Sequence, residues 1–351
     1  MNETNTNPRQ KYILNLIATS NGVLRSVIQT EAEKNYKISK PTLIRDLNQL
    51  ISQKLIRIEG KGKNTKYFSY SKNPLLRPFD LEDYFSIDPD SRTNTKKHFD
   101  FSLFSHLKDL FSSGEIGKIR DNHKEFGEQT KNLSPDILKR ELERFVIELS
   151  WKSSKIEGNT YTLLETETLI KESKAARGKT NIETLMILNH KQAFEQILKI
   201  RKDFKNLSLP LISGLHQILT KNLSVDTGIR KHAVGITGTT YQPLGNAHQI
   251  REAMEKMVSV INTNTSPLEK ALIASIMLPY IQPFTDGNKR TGRMLINAIL
   301  LAFDYYPLSY RSVDEDEFKK ALIIFYEQGT IYHFKNLFID QLIFSYKTYF
   351  K

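Results

Sequence analysis

Apolar residues recur at helical spacing along most of the chain, most regularly after residue 135. The pattern predicts a long helix from about 137 that ends at Gly158 and Asn159, two residue types that favour helix C-caps. Further helices are predicted at 161–175, 180–203, 209–223, 249–262, 267–280, 288–304, 314–327 and 331–350. The chain is therefore predicted to be mainly α-helical.

One segment departs from this periodicity. Residues 231–243 contain Val234, Ile236, Thr237 and Thr239 between glycines. β-Branched side chains fit a pleated surface better than a helix. The segment is therefore predicted to form a small β-hairpin.

The first part of the chain has a different order of elements. The apolar pattern predicts a helix containing Ile13 and Ile17, a second at 24–35, and a third that Ser39 caps, with Pro41 in its first turn. Alternating residues at 55–58 and 67–70, around a turn at 60–64, predict a hairpin. Three helices followed by a hairpin resemble a winged helix-turn-helix, whose third helix would enter the major groove of DNA.

Charge agrees with that resemblance. Residues 1–72 carry 13 basic and 5 acidic side chains, a local +8, within a chain of net charge +12. Lys40, Thr42 and Arg45 would face the groove, and Lys61 and Lys63 would lie along phosphates. The alternative is that a basic winged helix serves as a protein-docking or dimerisation module.

Residues 73–134 have no clear periodicity beyond a candidate helix at 101–111. They are interpreted as a connector or as the start of the second domain. The predicted organisation is a winged helix at 1–72, a connector at 73–134 and a helical domain at 135–351.

Composition excludes several classes of protein. The 351 residues include no cysteine, which excludes disulfides, thiolate metal sites and cysteine nucleophiles. No apolar run reaches the roughly 18 residues of a membrane span, and the polar N-terminus lacks the apolar core of a signal peptide. We expect a cytoplasmic protein with no membrane partner.

The stretch at 280–293 reads Tyr-Ile-Gln-Pro-Phe-Thr-Asp-Gly-Asn-Lys-Arg-Thr-Gly-Arg and precedes an apolar helical run. Backbone N–H groups near Gly287 and Asn288 would face a phosphate at the helix N-terminus, and three cations, Lys289, Arg290 and Arg293, could neutralise it. A carboxylate among these cations suits a hard divalent cation that bridges phosphates. The alternative is a charged loop that caps a buried helix.

This stretch resembles the signature of the Fic family, His-x-Phe-x-Asp/Glu-Gly-Asn-Gly-Arg-x-x-Arg. The matching residues are Phe284, Asp286, Gly287, Asn288, Arg290 and Arg293. The resemblance implies a helical bundle with a β-hairpin flap over the site, and transfer of AMP from Mg–ATP to a protein hydroxyl. It also implies that Asp286 binds the metal, that Gly287 and Asn288 form the phosphate nest, and that Arg290 and Arg293 hold the distal phosphates.

Two positions depart from the signature. Gln282 stands at the catalytic histidine, and a carboxamide cannot act as a general base near neutral pH. Lys289 stands at the second glycine, as in the Doc branch of the superfamily, whose members are kinases. His216 and His248 are candidate substitutes for the missing base, although each is more often a surface or core histidine. The transferred group, AMP or phosphate, therefore stays open.

A second motif lies at the end of the long predicted helix. Ser153, Glu157 and Gly158 resemble the Fic inhibitory motif Ser/Thr-x-x-x-Glu-Gly/Asn, on a helix at about 140–158. The resemblance implies that Glu157 pairs with Arg293 and competes with a phosphate for one guanidinium. The alternative is a glutamate at a helix end beside a C-cap.

Two functions of different class follow. The first is a self-inhibited Fic protein that binds Mg–ATP, with a target protein that presents a Ser, Thr or Tyr hydroxyl. The second is a DNA-binding regulator or nucleotide sensor that uses an inactive Fic domain. A docking scaffold with neither activity is a third, and a homodimer is a further candidate assembly.

Overall fold

The structure is a computed structural model and describes residues 7–18, 22–53, 55–60, 62–69, 73–77, 79, 81–93 and 95–349. Its N-terminal part contains helices α1 (Pro8–Ala18), α2 (Arg25–Glu33) and α3 (Lys40–Ser52) and strands β1 (Val23–Leu24), β2 (Ile56–Glu59) and β3 (Lys66–Ser69). The strands form an antiparallel sheet in the order β1-β3-β2. The three predicted helices and both strands of the predicted hairpin are present, while β1 was not predicted because two residues show no alternation.

Helix α3 forms where its start signals and apolar stripe agree. The hydroxyl of Ser39 accepts from the Thr42 N–H, and proline occupies the first turn. The buried face of α3 packs into a small core with residues from the other helices and strand β2: Ile13, Ile17, Ile28, Leu43, Leu47, Leu50 and Ile56. This arrangement leaves the opposite face of α3 exposed.

Residues 73–134 differ from the prediction. The α-helix predicted at 101–111 is wrong: Phe101–His106 is a 3-10 helix, and the α-helices of this region are α4 (Leu81–Phe85) and α5 (Ser113–Thr130). Helix α5 was missed because Gly117 and Gly127 lower its helix propensity. Its capping box, Ser112 with Glu115, stabilises the start instead.

Apolar side chains of this region, from Leu75 to Ile119, join the large core of the C-terminal helices. Helices α6 to α14 lie close to the predicted positions, so the predicted helical pattern is confirmed there. Their bounds are α6 Pro135–Ile156, α7 Leu163–Glu172, α8 Asn181–Ile200, α9 Leu209–Leu219, α10 Ala247–Thr263, α11 Pro267–Ile281, α12 Asn288–Ala302, α13 Glu315–Gln328 and α14 Tyr332–Thr348.

Helix α11 is the centre of this core. Every residue from Leu268 to Ile281 is buried, which is the condition of a helix surrounded by others. Helix α12 packs along it at Gly292, where an added Cβ would lie 3.4 Å from the ring of Pro279. A methyl group at 292 would therefore be in ordinary van der Waals contact with α11.

The β-hairpin predicted at 231–243 is wrong. The strands of the described residues all lie before residue 70, and this segment forms only an isolated parallel bridge between Gln242 and His98. Two of its polar groups pair outside the segment: the Gln242 N–H donates to the Lys97 carbonyl, and the Thr239 hydroxyl donates to Glu327. β-Branched composition favours an extended backbone, but pairing depends on which partners the fold brings near.

None of the helices in the described ranges combines the length and the apolar character that crossing a membrane would require.

Candidate functional site

The loop between α11 and α12 begins and ends on a left-handed residue. Gln282 follows α11 with φ of 51°, and Gly287 precedes α12 with φ of 81°. Glycine is required at 287, because an added Cβ would also lie 2.9 Å from a methyl carbon of Thr220. The loop therefore leads directly into the N-terminus of the buried helix α12, as the sequence predicts.

Both polar groups of the Gln282 side chain are hydrogen-bonded. Its side-chain amide donates to the Pro279 carbonyl at 2.7 Å, and its side-chain oxygen accepts from Asn288 at 2.8 Å. The Asn288 side chain also binds the N–H and the carbonyl of Phe284 at 3.0 and 2.8 Å. The structure thus places the side chains of Gln282 and Asn288 inside the loop, where they hold its shape.

Asp286 lies on the outside of the loop. Its side chain is 67% exposed, and Oδ2 lies 2.7 Å from Nη2 of Arg290, a residue that is only 3% exposed. Its other oxygen accepts the N–H of Gly287 at 2.6 Å. One exposed carboxylate therefore occupies the helix N-terminus and faces a buried guanidinium.

Arg293 lies one turn further along α12 and contacts the end of α6. Its Nη2 lies 2.8 Å from Oε1 of Glu157, and its Nε donates to the Ser153 hydroxyl at 2.9 Å. Its Nη2 also donates to the Ser153 carbonyl at 2.8 Å. Gly158, with φ of 93°, ends the helix directly after Glu157. The structure therefore brings both predicted motifs together at one guanidinium.

The charges of this contact favour an ionised Glu157. Burial opposes ionisation, but the positive charges of Arg293 and Lys289 outweigh it and lower the pKa of the Glu157 carboxyl. Lys289 is half-buried and acts here through its charge. Two guanidinium nitrogens, Arg290 Nη1 and Arg293 Nη1, are buried without a hydrogen-bond partner in the part of the chain that the structure describes.

His190 joins the site although no sequence pattern indicated it. Its Nδ1 donates to the Met186 carbonyl at 2.7 Å, so Nε2 is the acceptor of the Ser153 hydroxyl at 2.8 Å. Burial, assisted by the charges of Arg290 and Arg293, lowers the pKa of His190 to about 3. A neutral imidazole therefore orients the hydroxyl that accepts from Arg293.

The two histidines predicted as substitute bases lie in different surroundings. His216 is buried beneath the loop, where its Nε2 lies 2.9 Å from the Asp286 carbonyl oxygen and burial lowers the pKa of its ring. His248 is exposed near the start of α10, and its backbone N–H donates to Asn246. His216 therefore belongs to the site, whereas His248 lies in the first turn of α10 and contacts the N-cap residue Asn246 through its backbone.

Arg230 is a further residue that sequence reasoning missed. Its Nε donates to the Gln282 carbonyl at 2.6 Å, its Nη1 to the His232 carbonyl at 2.6 Å, and its Nη2 to the Leu244 carbonyl. Its backbone N–H donates to the Pro283 carbonyl at 2.9 Å. One buried guanidinium therefore ties both ends of the 232–244 segment to the loop.

The residues predicted to contact DNA belong to the N-terminal part of the chain. Lys40 and Arg45 are exposed on α3, whereas Thr42 is half-buried with its hydroxyl 2.8 Å from that of Ser39. Lys61 falls outside the described residues, as does the side chain of Lys63.

Comparison with known proteins connects this geometry to a family. Residues 206–300 match the model of the Fic/DOC family. The protein adenylyltransferase Fic of Nematostella vectensis is 27% identical over 199 residues, which are 53% of this chain and 44% of that protein. The protein of the same name from Drosophila melanogaster is 28% identical over 156 residues, 44% of this chain and 32% of that protein. The matches thus span less than half of these relatives.

Solved structures share the fold. A Fic domain containing signaling protein from Bacteroides thetaiotaomicron has a TM-score of 0.57 at 22% identity, over 66% of this chain and 94% of that one. Fic-1 from C. elegans has a TM-score of 0.57 at 21% identity, over 66% and 71%. The family match and the names of the relatives agree with each other. Residues 206–300 of this chain are therefore similar to the Fic/DOC family, and the chain shares the fold of these solved structures.

Proposed function

We propose that this protein binds Mg–ATP at the 282–293 loop as a Fic-type protein related to adenylyltransferases, self-inhibited through Glu157 and weak in AMP transfer. The observation that carries the proposal is the contact of Arg293 with Glu157. A buried cation beside a helix N-terminus is held by a carboxylate that a phosphate could replace. The relatives named above are protein adenylyltransferases, which makes AMP transfer the reference reaction.

The residues fit a triphosphate once Glu157 leaves. Arg290 Nη1 and Arg293 Nη1 are buried donors whose capacity is unfilled among the described residues. A charge-assisted bond from a guanidinium to a phosphate is among the stronger hydrogen bonds in proteins. Anionic oxygens would therefore satisfy two groups that are otherwise costly to bury.

The site also fits magnesium delivered with the nucleotide. Mg²⁺ is commonly bound through one or two carboxylates together with substrate phosphates. Asp286 supplies one exposed carboxylate, and the described residues contain no cluster of His, Cys, Asp and Glu that could hold a metal without a nucleotide. Bound magnesium would neutralise phosphate charge, and Asp286 would hold it.

Gln282 sets the expected activity. Its carboxamide has no titratable proton, and its two polar groups are already bonded to Pro279 and Asn288. A general base contributes about 10²–10⁴ in rate. A hydroxyl of a target Ser, Thr or Tyr would therefore meet no base at position 282. The protein would bind the nucleotide but transfer AMP slowly.

Calorimetry with the Glu157→Gly variant tests the binding step. We expect ATP to bind in the presence of Mg²⁺ and more weakly when EDTA replaces the metal. If ATP does not bind to Glu157→Gly at millimolar concentration, the proposal is wrong. Radiolabelled ATP then separates the two reactions: AMP transfer labels the target from the α-phosphate, and phosphorylation labels it from the γ-phosphate. Phosphorylation is the alternative because Lys289 resembles the Doc branch.

A second candidate function is DNA binding by residues 1–72, with the Fic domain as a nucleotide sensor. The observation that favours it is the exposed outer face of α3, where Lys40, Arg45 and Asn48 lie opposite the buried stripe. The order of the helices and strands is compatible with a winged helix. Binding to duplex DNA that weakens steeply with salt would support this function.

A further inference from the structure

His216 contacts two residues of the loop, Phe284 and Asp286, and lies beside a third, Gly287. Its ring stacks on Phe284 with centroids 3.7 Å apart and an angle of 13° between the planes. Its Nε2 lies 2.9 Å from the Asp286 carbonyl oxygen, and a Cβ added at Gly287 would lie 3.4 Å from its ring. His216 is itself fully buried on α9. This buried ring therefore supports the loop from the side of α9.

The contact with Asp286 fixes which ring nitrogen carries the proton. A carbonyl oxygen can only accept, so Nε2 of His216 must be the donor. The other nitrogen, Nδ1, is buried and has no partner within the described residues. Among the described residues, the hydrogen bond from Nε2 to the Asp286 carbonyl is therefore the only one that the His216 ring makes.

That bond also determines the direction of the next N–H group. The peptide between Asp286 and Gly287 is planar and trans, so its C=O and N–H point in opposite directions. The carbonyl points to the buried His216, and the Gly287 N–H points to the exposed side, where it donates to the Asp286 carboxylate at 2.6 Å. An anionic oxygen already occupies the position in front of this N–H group.

We propose that His216 is a positioning residue for anion binding: by holding the Asp286 carbonyl inward, it directs the Gly287 N–H outward toward the nucleotide phosphates. This inference deepens the proposed function and rests on it. His216 does not contact the phosphate and transfers no proton. A hydrogen bond that holds this peptide is needed because residue 287 is glycine, whose backbone has few steric barriers to rotation of the peptide.

Two substitutions separate the donor from the ring. His216→Phe keeps an aromatic ring against Phe284 and removes the donor, whereas His216→Gln keeps an N–H donor of similar reach and removes the ring. Both are made in the full chain that carries Glu157→Gly, with His248→Phe as a control at an exposed histidine. ATP with Mg²⁺, and adenosine as the ligand without phosphate, are titrated by calorimetry, and melting temperatures are recorded.

We expect His216→Phe to bind ATP about ten- to hundredfold more weakly, the usual range for one hydrogen bond to a charged group, with adenosine binding unchanged. His216→Gln should stay within about threefold of its parent. A purely structural histidine would lower both affinities together, or only the melting temperature. The inference would be overturned if His216→Phe bound ATP as tightly as the parent does. It would also be overturned if His216→Phe and His216→Gln lost the same ATP affinity.

If His216→Phe does not fold, His216→Asn replaces it, because its amide is too short to reach the Asp286 carbonyl. A crystal structure of the folded variant decides the question without a ligand. We expect the 286–287 peptide to rotate in the variant, and an unchanged peptide would overturn the inference. A parent that does not bind ATP refutes the proposed function, and the crystal structure then still reports on His216.

Discussion

The guanidinium of Arg293 lies 2.8 Å from the carboxylate of Glu157, so the first turns of α12 are joined to the last turn of α6. Arg293 is 2% exposed and Glu157 is 21% exposed. Removing Glu157 would thus leave a buried cation with fewer partners, whereas moving it aside would open a site for an anion. Stability and ligand binding are expected to respond to this pair in opposite directions.

Glu157→Gln should lower stability and strengthen ATP binding. We expect a loss of about 1–3 kcal/mol in the free energy of unfolding, because the buried guanidinium of Arg293 loses its ionic partner. Urea denaturation and calorimetry measure the two effects. Glu143→Gln, at an exposed glutamate on the same helix, is the control and should change neither quantity. Weaker ATP binding by Glu157→Gln would contradict self-inhibition.

Gln282→His should increase AMP transfer. In the Glu157→Gly background we expect a gain of about 10²–10⁴ in the rate of self-modification with α-labelled ATP, because a histidine supplies the missing base. Histidine is also among the residues that tolerate the left-handed backbone found at this position. Gln282→Met is the control: it has no base and no hydrogen bond to Asn288. Equal rates in the two variants would show that position 282 does not limit the reaction.

Stability should fall as the pH decreases from about 6.5 toward 3, because His190 is buried neutral. Its ordinary pKa of 6.5 is lowered to about 3 in the folded protein, so the unfolded chain binds more protons across this interval. The expected slope is about 1.4 kcal/mol per pH unit. His190→Gln should flatten the profile in urea denaturation, and His248→Gln should leave it unchanged. A wild-type slope retained in His190→Gln would refute this assignment.

The lowered pKa of Glu157 adds a second, more acidic interval. Its carboxyl stabilises the fold above the pKa of the unfolded chain, and that contribution is lost as the pH falls through the lower folded value. Below about pH 4.3, wild type and Glu157→Gln should therefore converge in stability. A constant difference down to pH 3 would show that the charge of Glu157 does not contribute.

Gly287→Ala should destabilise the loop more than the same change at Gly178. Both glycines have nearly equal φ angles, 81° and 80°, but only Gly287 has neighbours that an added methyl group would meet. The left-handed backbone alone costs about 1–2 kcal/mol. Any further loss in Gly287→Ala, measured by thermal denaturation, reports the contact with Thr220 and His216. Equal losses would mean that the loop moves away freely.

Arg45→Ala should weaken binding to a random-sequence DNA duplex and reduce its salt dependence. Removing a single phosphate-binding side chain lowers the slope of log K against log salt by about one. Fluorescence anisotropy at several salt concentrations measures this slope. Lys199→Ala removes an exposed charge on α8 and should have no effect. The DNA-binding hypothesis fails if both variants behave alike or if wild type does not bind.

The sequence determined the local structure where several signals agreed. Apolar periodicity and the N-cap serine with proline located α3, and the apolar run after residue 293 located α12. The order of Asp286, Gly287 and Arg290 indicated the loop at the helix N-terminus, because these residues are close in the chain and act through local geometry. Periodicity failed for α5, whose interior glycines lower helix propensity, and for 231–243, whose backbone partners lie elsewhere in the chain.

Tertiary structure alone decided the rest of the site. His190, Arg230 and the role of His216 had no signal in the sequence, because each acts through a carbonyl or hydroxyl that only the packing of helices and loops brings near. The pKa of His190 is likewise a consequence of burial among neighbours from other elements. The type of a residue determines which hydrogen bonds its side chain can make. The folded chain determines which of those bonds are formed.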